Sequence, residues 1–163
     1  MPTTVTVSDT VDYVNLIRNA YHTGFNDLTG SGQTFEGFGV AKWQDPQEGY
    51  IAPGITLELA AGPSTDYGFG DHREVTVLVR ANLVFKESHS KTVDGTLRQT
   101  DDLAQWYLVR VLDVLDTTGM PAAANETGRS VDGHVHSEPM EGSNLWLYGC
   151  IATAQVTVRA NEQ

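Results

Sequence analysis

Only one cysteine, Cys150, occurs in the 163 residues, so no disulfide can close within the chain. Nothing in the cysteine usage points to an oxidising compartment. Cys150 sits in an apolar alternating run with Leu147, Tyr148 and Ile151, and no cation stands near it in sequence. It therefore reads as a small packed hydrophobe rather than a reactive thiol. Cations are scarce as well: 10 Lys and Arg stand against 21 Asp and Glu, a formal net charge of −11. That excludes phosphate-driven binding of DNA or RNA, which takes patches of Lys and Arg. It is compatible with a surface that nucleic acid passes without adhering, and equally with plain solubility. Long apolar runs are missing too, since none approaches the roughly 20 residues of a membrane span. The start, Met1-Pro2-Thr3-Thr4-Val5, has no basic stretch leading into an apolar one. No signal peptide is expected, and synthesis is expected to be cytosolic. The sequon Asn125-Glu126-Thr127 carries little meaning in that setting.

Catalytic signatures are absent as well. There is no Gly-x-x-x-x-Gly-Lys-Ser/Thr loop and no Gly-x-Gly-x-x-Gly opening a helix, and Gly68-Phe69-Gly70 is too short to cradle a phosphate. No Gly-x-Ser-x-Gly elbow occurs, and no nucleophile has a base at a readable spacing. Asp101 and Asp102 fall in the first turn of an expected helix, where the dipole accounts for them without chemistry. Asp66 and Asp71 fall in a Gly-rich turn, where Asp is common for backbone reasons. The most metal-like feature is His134-Val135-His136. Residues i and i+2 of a strand share a face, so both imidazoles can reach one ion. Two ligands do not specify a metal, however, and exposed strand histidines near a turn are the simpler reading. Neither an enzyme nor a cofactor is expected.

What is present is a patterned α+β domain. The length fits one domain, and 16 glycines promise generous turns. Val11, Val14, Ile17 and Tyr21 recur at helical spacing, which predicts a helix over 9–21, capped by Ser8 or Asp9 and stopped by Gly24. Residues 26–54 read as an irregular arm with one short strand near 38–43. Its aromatics, Phe35, Phe38, Trp43 and Tyr50, should dock on the domain or on a neighbour. Ile55, Leu57 and Leu59 alternate in one strand over 55–61. Val75, Val77, Val79, Ala81 and Leu83 alternate in another over 73–86. With a turn-rich connection at 62–70, these make an antiparallel hairpin. Residues 87–99 read as a polar loop. Thr100 is expected to cap a helix over 100–118 whose inner stripe is Ala104, Tyr107, Leu108, Val111 and Leu115, widened by Leu103, Leu112 and Val114. Gly119 and Pro121 end it. A loop over 121–129, a short strand near 129–137, a turn at 138–143 and a long strand over 144–159 form a second hairpin. In that last strand Trp146, Tyr148, Cys150, Ala152, Ala154, Val156 and Val158 share one face. Helix, hairpin, helix, hairpin predicts a mostly antiparallel sheet with helices packed on one face.

This pattern resembles the tail terminator proteins of tailed bacteriophages over residues 55–160. The resemblance lies in Ile-Thr-Leu-Glu-Leu-Ala-Ala from residue 55, the Gly- and aromatic-rich turn after it, and Arg-Glu-Val-Thr-Val-Leu-Val-Arg-Ala from residue 73. It continues in the helix start Thr-Asp-Asp-Leu-Ala from residue 100 and in Ala-Thr-Ala-Gln-Val-Thr-Val-Arg-Ala from residue 152. The arm at 26–54 and the extended connection at 121–133 depart from that compact plan. The resemblance implies a structural virion protein, made in the host cytoplasm and ending in the tail or neck. It implies a homo-hexameric ring that ends tail-tube polymerisation and joins the tail to the head–tail connector, with tail tube protein and connector proteins as partners. DNA would pass through the lumen without specific binding, no membrane would be involved, and there is no catalytic residue to carry over. On this reading the loop residues Glu87, Lys91 and Asp94, or the turn residues Asp66 and Asp71, lie on a ring face or in the lumen. Another neck or tail subunit, such as a tail completion or head-closure protein, fits the same pattern. A small-ligand or metal-binding α+β domain using His134 and His136 is the reading from a different class.

Overall fold

The computed structural model describes residues 10–41, 53–60, 64–67, 72–140 and 142–161. Helix α1, Thr10–Asn26, sends Tyr13, Val14, Ile17, Arg18, Tyr21 and Phe25 inward at helical spacing. It does not stop at Gly24. A Cβ there would lie 2.7 Å from Thr118 Oγ1, so the glycine serves close packing inside the helix. Carrying the helix past it brings Phe25 into the core. A run of turns follows, closed by hydrogen bonds such as Phe35 N–H to Leu28 O at 2.8 Å, and it buries Phe35 and Phe38. That much of the aromatic arm docks on the domain as expected, whereas Trp43 and Tyr50 lie outside the described residues.

Strand β1, Gly39–Ala41, pairs in parallel with β2, Gly54–Leu59. β2 and the short β3, Ser64–Tyr67, both run antiparallel to β4, His72–Lys86, along the same side of it. The connection expected at 62–70 thus contains a strand, since Ser64–Tyr67 also pairs with β4. β4 is the spine of the sheet, pairing on its other side with β8, Trp146–Asn161, from His72 opposite Asn161 to Lys86 opposite Leu147. β7, Glu126–Pro139, completes the order β1-β2-β4-β8-β7. It replaces both the expected loop at 121–129, which shrinks to a 3-10 turn over Ala122–Ala124, and the short strand. The turn moves to 140–145, closed by Met140 N–H to Leu145 O at 2.8 Å.

The alternation puts Val75, Val77, Val79, Ala81, Leu83 and Phe85 of β4, and Cys150, Ala152, Ala154, Val156 and Val158 of β8, on one buried face. α1 and helix α2, Thr100–Thr117, cover that face, with Leu103, Ala104, Tyr107, Val111, Val114 and Leu115 as the buried stripe of α2. Leu108 and Leu112 are only half-buried at its margins. Among the described residues no helix packs on the opposite face. There Glu58 receives Asn82 Nδ2 at 2.7 Å and pairs with Arg80 at 3.4 Å. The fold is α+β, as the sequence predicts. No described helix is long and apolar enough to cross a membrane.

Residues 87–99 are not a loop. They form a two-stranded hairpin, β5 (Ser90–Val93) with β6 (Thr96–Gln99), turning on Asp94 at φ 51° and Gly95 at φ 78°. Two successive left-handed residues make the tight turn whose twist matches a hairpin, and Asp-Gly supplies them at low cost. β6 runs straight into α2, so Gln99 takes the N-cap position without a side-chain bond and Thr100 adopts φ 49°. Thr100 therefore caps nothing. Arg98 reaches the first helical turn instead, bonding both Asp102 oxygens at 2.9 and 3.1 Å.

Candidate assembly surfaces

The small hairpin is anchored by a group of rings around Tyr107. Phe35, Phe38 and Phe85 stand 5.1 to 5.9 Å from the Tyr107 ring. His89, at the root of the hairpin, holds Nε2 3.1 Å from the Tyr107 hydroxyl and lies 5.4 Å from both Phe38 and Phe85. Burial among these rings, with a smaller push from Lys91, lowers the His89 pKa below its ordinary 6.5. The imidazole is accordingly neutral at pH 7. Lys91 lies 5.5 Å over Trp106, whose ring also takes the Arg110 guanidinium at 4.4 Å, and its Nζ donates to the Thr34 carbonyl at 3.3 Å. The hairpin is thereby tied to both α2 and the 27–38 turns.

Among the described residues, the assembly residues read from the sequence do not come together: Glu87, Lys91 and Asp94 lie apart from Asp66. Glu87 is half-buried where β4 ends, Asp94 is exposed at the hairpin tip, and Lys91 holds the hairpin to the body. Asp66 belongs to β3, opposite Glu74 near the other end of β4. At about 3.3 Å per residue, the span from Glu74 to Glu87 is roughly 40 Å. The two groups therefore mark opposite ends of the sheet and cannot share one rim. Asp71 lies outside the described residues.

His134 and His136 lie on β7 opposite Ile151 and Gly149, which places both on the helix-free face. His136 Nε2 is 3.5 Å from Glu138 Oε2. Among the described residues no group of three or more His, Cys, Asp or Glu is placed to hold a metal ion. Beside them Asn82, Val84, His136, Glu138, Leu147 and Gly149 line a hollow of about 60 Å³. That is room for a few waters, well below the roughly 300–1,000 Å³ of a small-molecule site. Cys150 is buried on the other face, and burial pushes its thiol up to about 12, which makes it inert as a nucleophile.

One polar centre was not legible in the sequence. Arg129 forks onto Glu126 through Nε and Nη2 at 2.6 and 2.7 Å, while its Nη1 donates to the carbonyls of Leu115 and Asp116 at 3.0 Å each. It lies 5.7 Å over the Tyr21 ring, and the Tyr21 hydroxyl donates to the Leu115 carbonyl at 2.8 Å. α2 has no basic residue in its last turn. Arg129 supplies from β7 the cation that the helix C-terminus favours, and ties α1, α2 and β7 together. The spacing of Glu126 and Arg129 was the available signal, hidden by reading 121–129 as a loop.

The exposed surface is acidic and carries separate apolar spots. Asp27, Glu36, Asp94, Asp113, Asp116 and Asp132 are exposed. Arg80, Arg98 and Arg129 are held in ion pairs, and Lys91 and Arg110 lie on Trp106. The large exposed hydrophobics are Leu97, Val109, Leu145 and Trp146. Leu97 is in β6, and Leu145 and Trp146 are at the β7–β8 turn. β4 leads into the small hairpin at the end where Lys86 pairs with Leu147, so three of the four gather at one end of the sheet. No protein-family model matches this chain, and a search of curated proteins finds no match.

Proposed function

We propose that the chain is a structural virion subunit, a bacteriophage tail terminator that forms a homo-hexameric ring ending tail-tube polymerisation and joining the tail to the head connector. The observation that carries this reading is the surface. Exposed carboxylates dominate it, much of the basic complement is engaged within the chain, and apolar side chains gather at one end of the sheet. The long strands β4 and β8 with α2 packed across their buried face, all within residues 55–160, support the resemblance drawn there.

The mechanism on this reading is geometric. Six copies meet head to tail and close, and the two ends of β4 become the two ring faces. The end bearing Leu97, Leu145 and Trp146 meets a neighbouring protein, because exposed apolar groups gathered at one place mark a contact. Carboxylates facing the lumen repel the phosphate backbone within a Debye length of about 8–10 Å, so the genome slides without adhering. Native mass measurement and negative-stain imaging, alone and with tail tube subunits, test the reading. Six-fold rings that retain no duplex DNA at physiological salt are expected. A chain that stays monomeric even with tube subunits present refutes it.

A further inference from the structure

β7 carries a stretch that is chemically symmetric about its own centre. Stepping outward from Val135, the first neighbours are His134 and His136, the second are the small residues Gly133 and Ser137, and the third are the carboxylates Asp132 and Glu138. β7 ends the sheet, and among the described residues no strand pairs with its outer side. A strand that reads alike in both directions suits antiparallel pairing with a second copy of itself, the self-complementary contact of a two-fold axis. Register with β8 sets Asp132, His134, His136 and Glu138 opposite Thr153, Ile151, Gly149 and Leu147, so all four occupy the helix-free face. His134 is exposed, and the His136 side chain is 45% exposed.

We propose that two copies of the chain pair through the outer edges of β7 about Val135, and that the four histidines so gathered hold one divalent transition-metal ion of the zinc class. In that register His134 of each copy lies directly across from the partner's His136. Opposed Cβ atoms in an antiparallel pair are about 5 Å apart, and residues i and i+2 of one strand about 7 Å. Four imidazoles rising from the corners of such a rectangle converge on a point above its centre, where a tetrahedral ion with bonds of about 2.0–2.1 Å is satisfied.

Two further features fit a metal rather than a bare strand pair. His136 Nε2 already faces Glu138 Oε2 at 3.5 Å, which leaves Nδ1 for the ion and lets the carboxylate fix the ring. The same register sets Asp132 against the partner's Glu138, twice over, on chains that each carry a net charge of −11. Like charges directly opposed across a strand pair are destabilising, so the contact is disfavoured until a cation enters. A single chain presents only half of the ligand set, in keeping with the lack of a three-residue site among the described residues of one copy. This contact relates copies by a two-fold axis and is separate from head-to-tail ring closure, so it does not rest on the ring.

Sedimentation of the purified full chain, with EDTA and then with zinc chloride, tests it, with bound zinc counted after gel filtration. The expected result is a doubling of the metal-free mass with zinc, reversal by EDTA, and one ion per two chains. The His134→Ala/His136→Ala double variant should lose both zinc and doubling while its urea unfolding curve stays unchanged. Glu138→Gln should weaken zinc binding about 10- to 100-fold. Absence of zinc binding overturns the proposal. So does one ion per chain without a change in mass, and so does a doubling that persists in the double variant.

Discussion

Replacing Arg129 with alanine should cost more stability than any other single change to a charged residue described above. The side chain is only 10% exposed, and the Glu126 side chain beside it is 24% exposed. Two carbonyls at the end of α2, those of Leu115 and Asp116, lose a charged donor at 3.0 Å each. Hydrogen bonds to charged groups contribute about 1.5–3 kcal/mol each. The trough beside them, lined by Asp116, Thr118 and Glu126, is open to solvent. Two such bonds at the lower bound would contribute about 3 kcal/mol, and water replacing part of what is lost brings the pair to about 2 kcal/mol. The partly exposed fork onto Glu126 adds about 1 kcal/mol, near the upper end for a solvent-accessible pair. The total is about 3 kcal/mol, a melting-temperature drop of about 6–12 °C for a chain of this length. Urea unfolding followed by circular dichroism at pH 7 measures it, with an unchanged m-value expected because the native fold is retained. Glu126→Gln, which leaves the two carbonyl bonds in place, should cost about 1 kcal/mol. Arg129→Lys should fall between, since an ammonium cannot reproduce the planar fork. If Arg129→Ala costs no more than Glu126→Gln, the carbonyl bonds contribute nothing and the tie between α2 and β7 is wrongly described.

Gly149→Ala should cost about 3 kcal/mol or abolish folding, because the new Cβ would fall on the Leu83 carbonyl oxygen inside the β4–β8 pairing, near its Lys86–Leu147 end; soluble yield and urea midpoint report it, and a near-neutral variant would contradict the close approach. His89 has a lowered folded pKa, from burial first and Lys91 second, so the unfolded chain takes up the proton more readily. Its contribution is complete above the unfolded value of about 6.5 and is lost as the pH falls through the folded value. His89→Gln should flatten that slope in melts taken between pH 7.5 and 5, within the range where histidine titrates (about 5 to 8). Cys150, its thiol pushed up to about 12 by burial, should resist a disulfide reagent in the native protein and react promptly in urea, so fast native labelling at pH 8 (about half a unit below an ordinary thiol) would be the contrary result.

The spine of the fold was legible because two strands bury one face each. Val75 to Leu83 and Cys150 to Val158 alternate without a break, and burial follows that alternation residue by residue. The full length of β7 is harder to see in the sequence because it is an edge strand whose inward residues Val131 and Val135 are only half-buried, its start Glu126-Thr127-Gly128 carries no apolar side chain, and Gly128 and Gly133 dilute its strand character. The β5–β6 hairpin gives no periodic signal for a related reason, since its strands bury little. Its signal was local instead: Asp94-Gly95, the dipeptide suited to two left-handed residues in succession. Gly24 misled in the opposite direction. A glycine near the end of an apolar stripe usually stops a helix, but here it makes room for Thr118 from another element, and such long-range crowding leaves no trace in local sequence.

The surface was less legible than the core because total charge does not say where the charge is. The deficit of basic residues is plain in the sequence, and it excludes a phosphate-binding surface from composition alone. What composition omits is how the cations are used. Lys91, chosen as an assembly residue because it stood in a polar stretch, directs its ammonium to the Thr34 carbonyl and the Trp106 ring. Arg129 is spent on a helix end, Arg98 on Asp102 and Arg80 on Glu58. In the three ion pairs each positive charge sits beside a carboxylate, so its field beyond a few ångströms is largely cancelled, whereas Lys91 is fixed on neutral groups and keeps its charge. The carboxylates left over, such as Asp27, Asp94, Asp113 and Asp132, have no such pairing among the described contacts and set the potential that an approaching polyanion meets. The field outside the protein is therefore more uniformly negative than an even mixture of the same residues would produce, which is the electrostatic condition for DNA to pass a protein surface without being held by it.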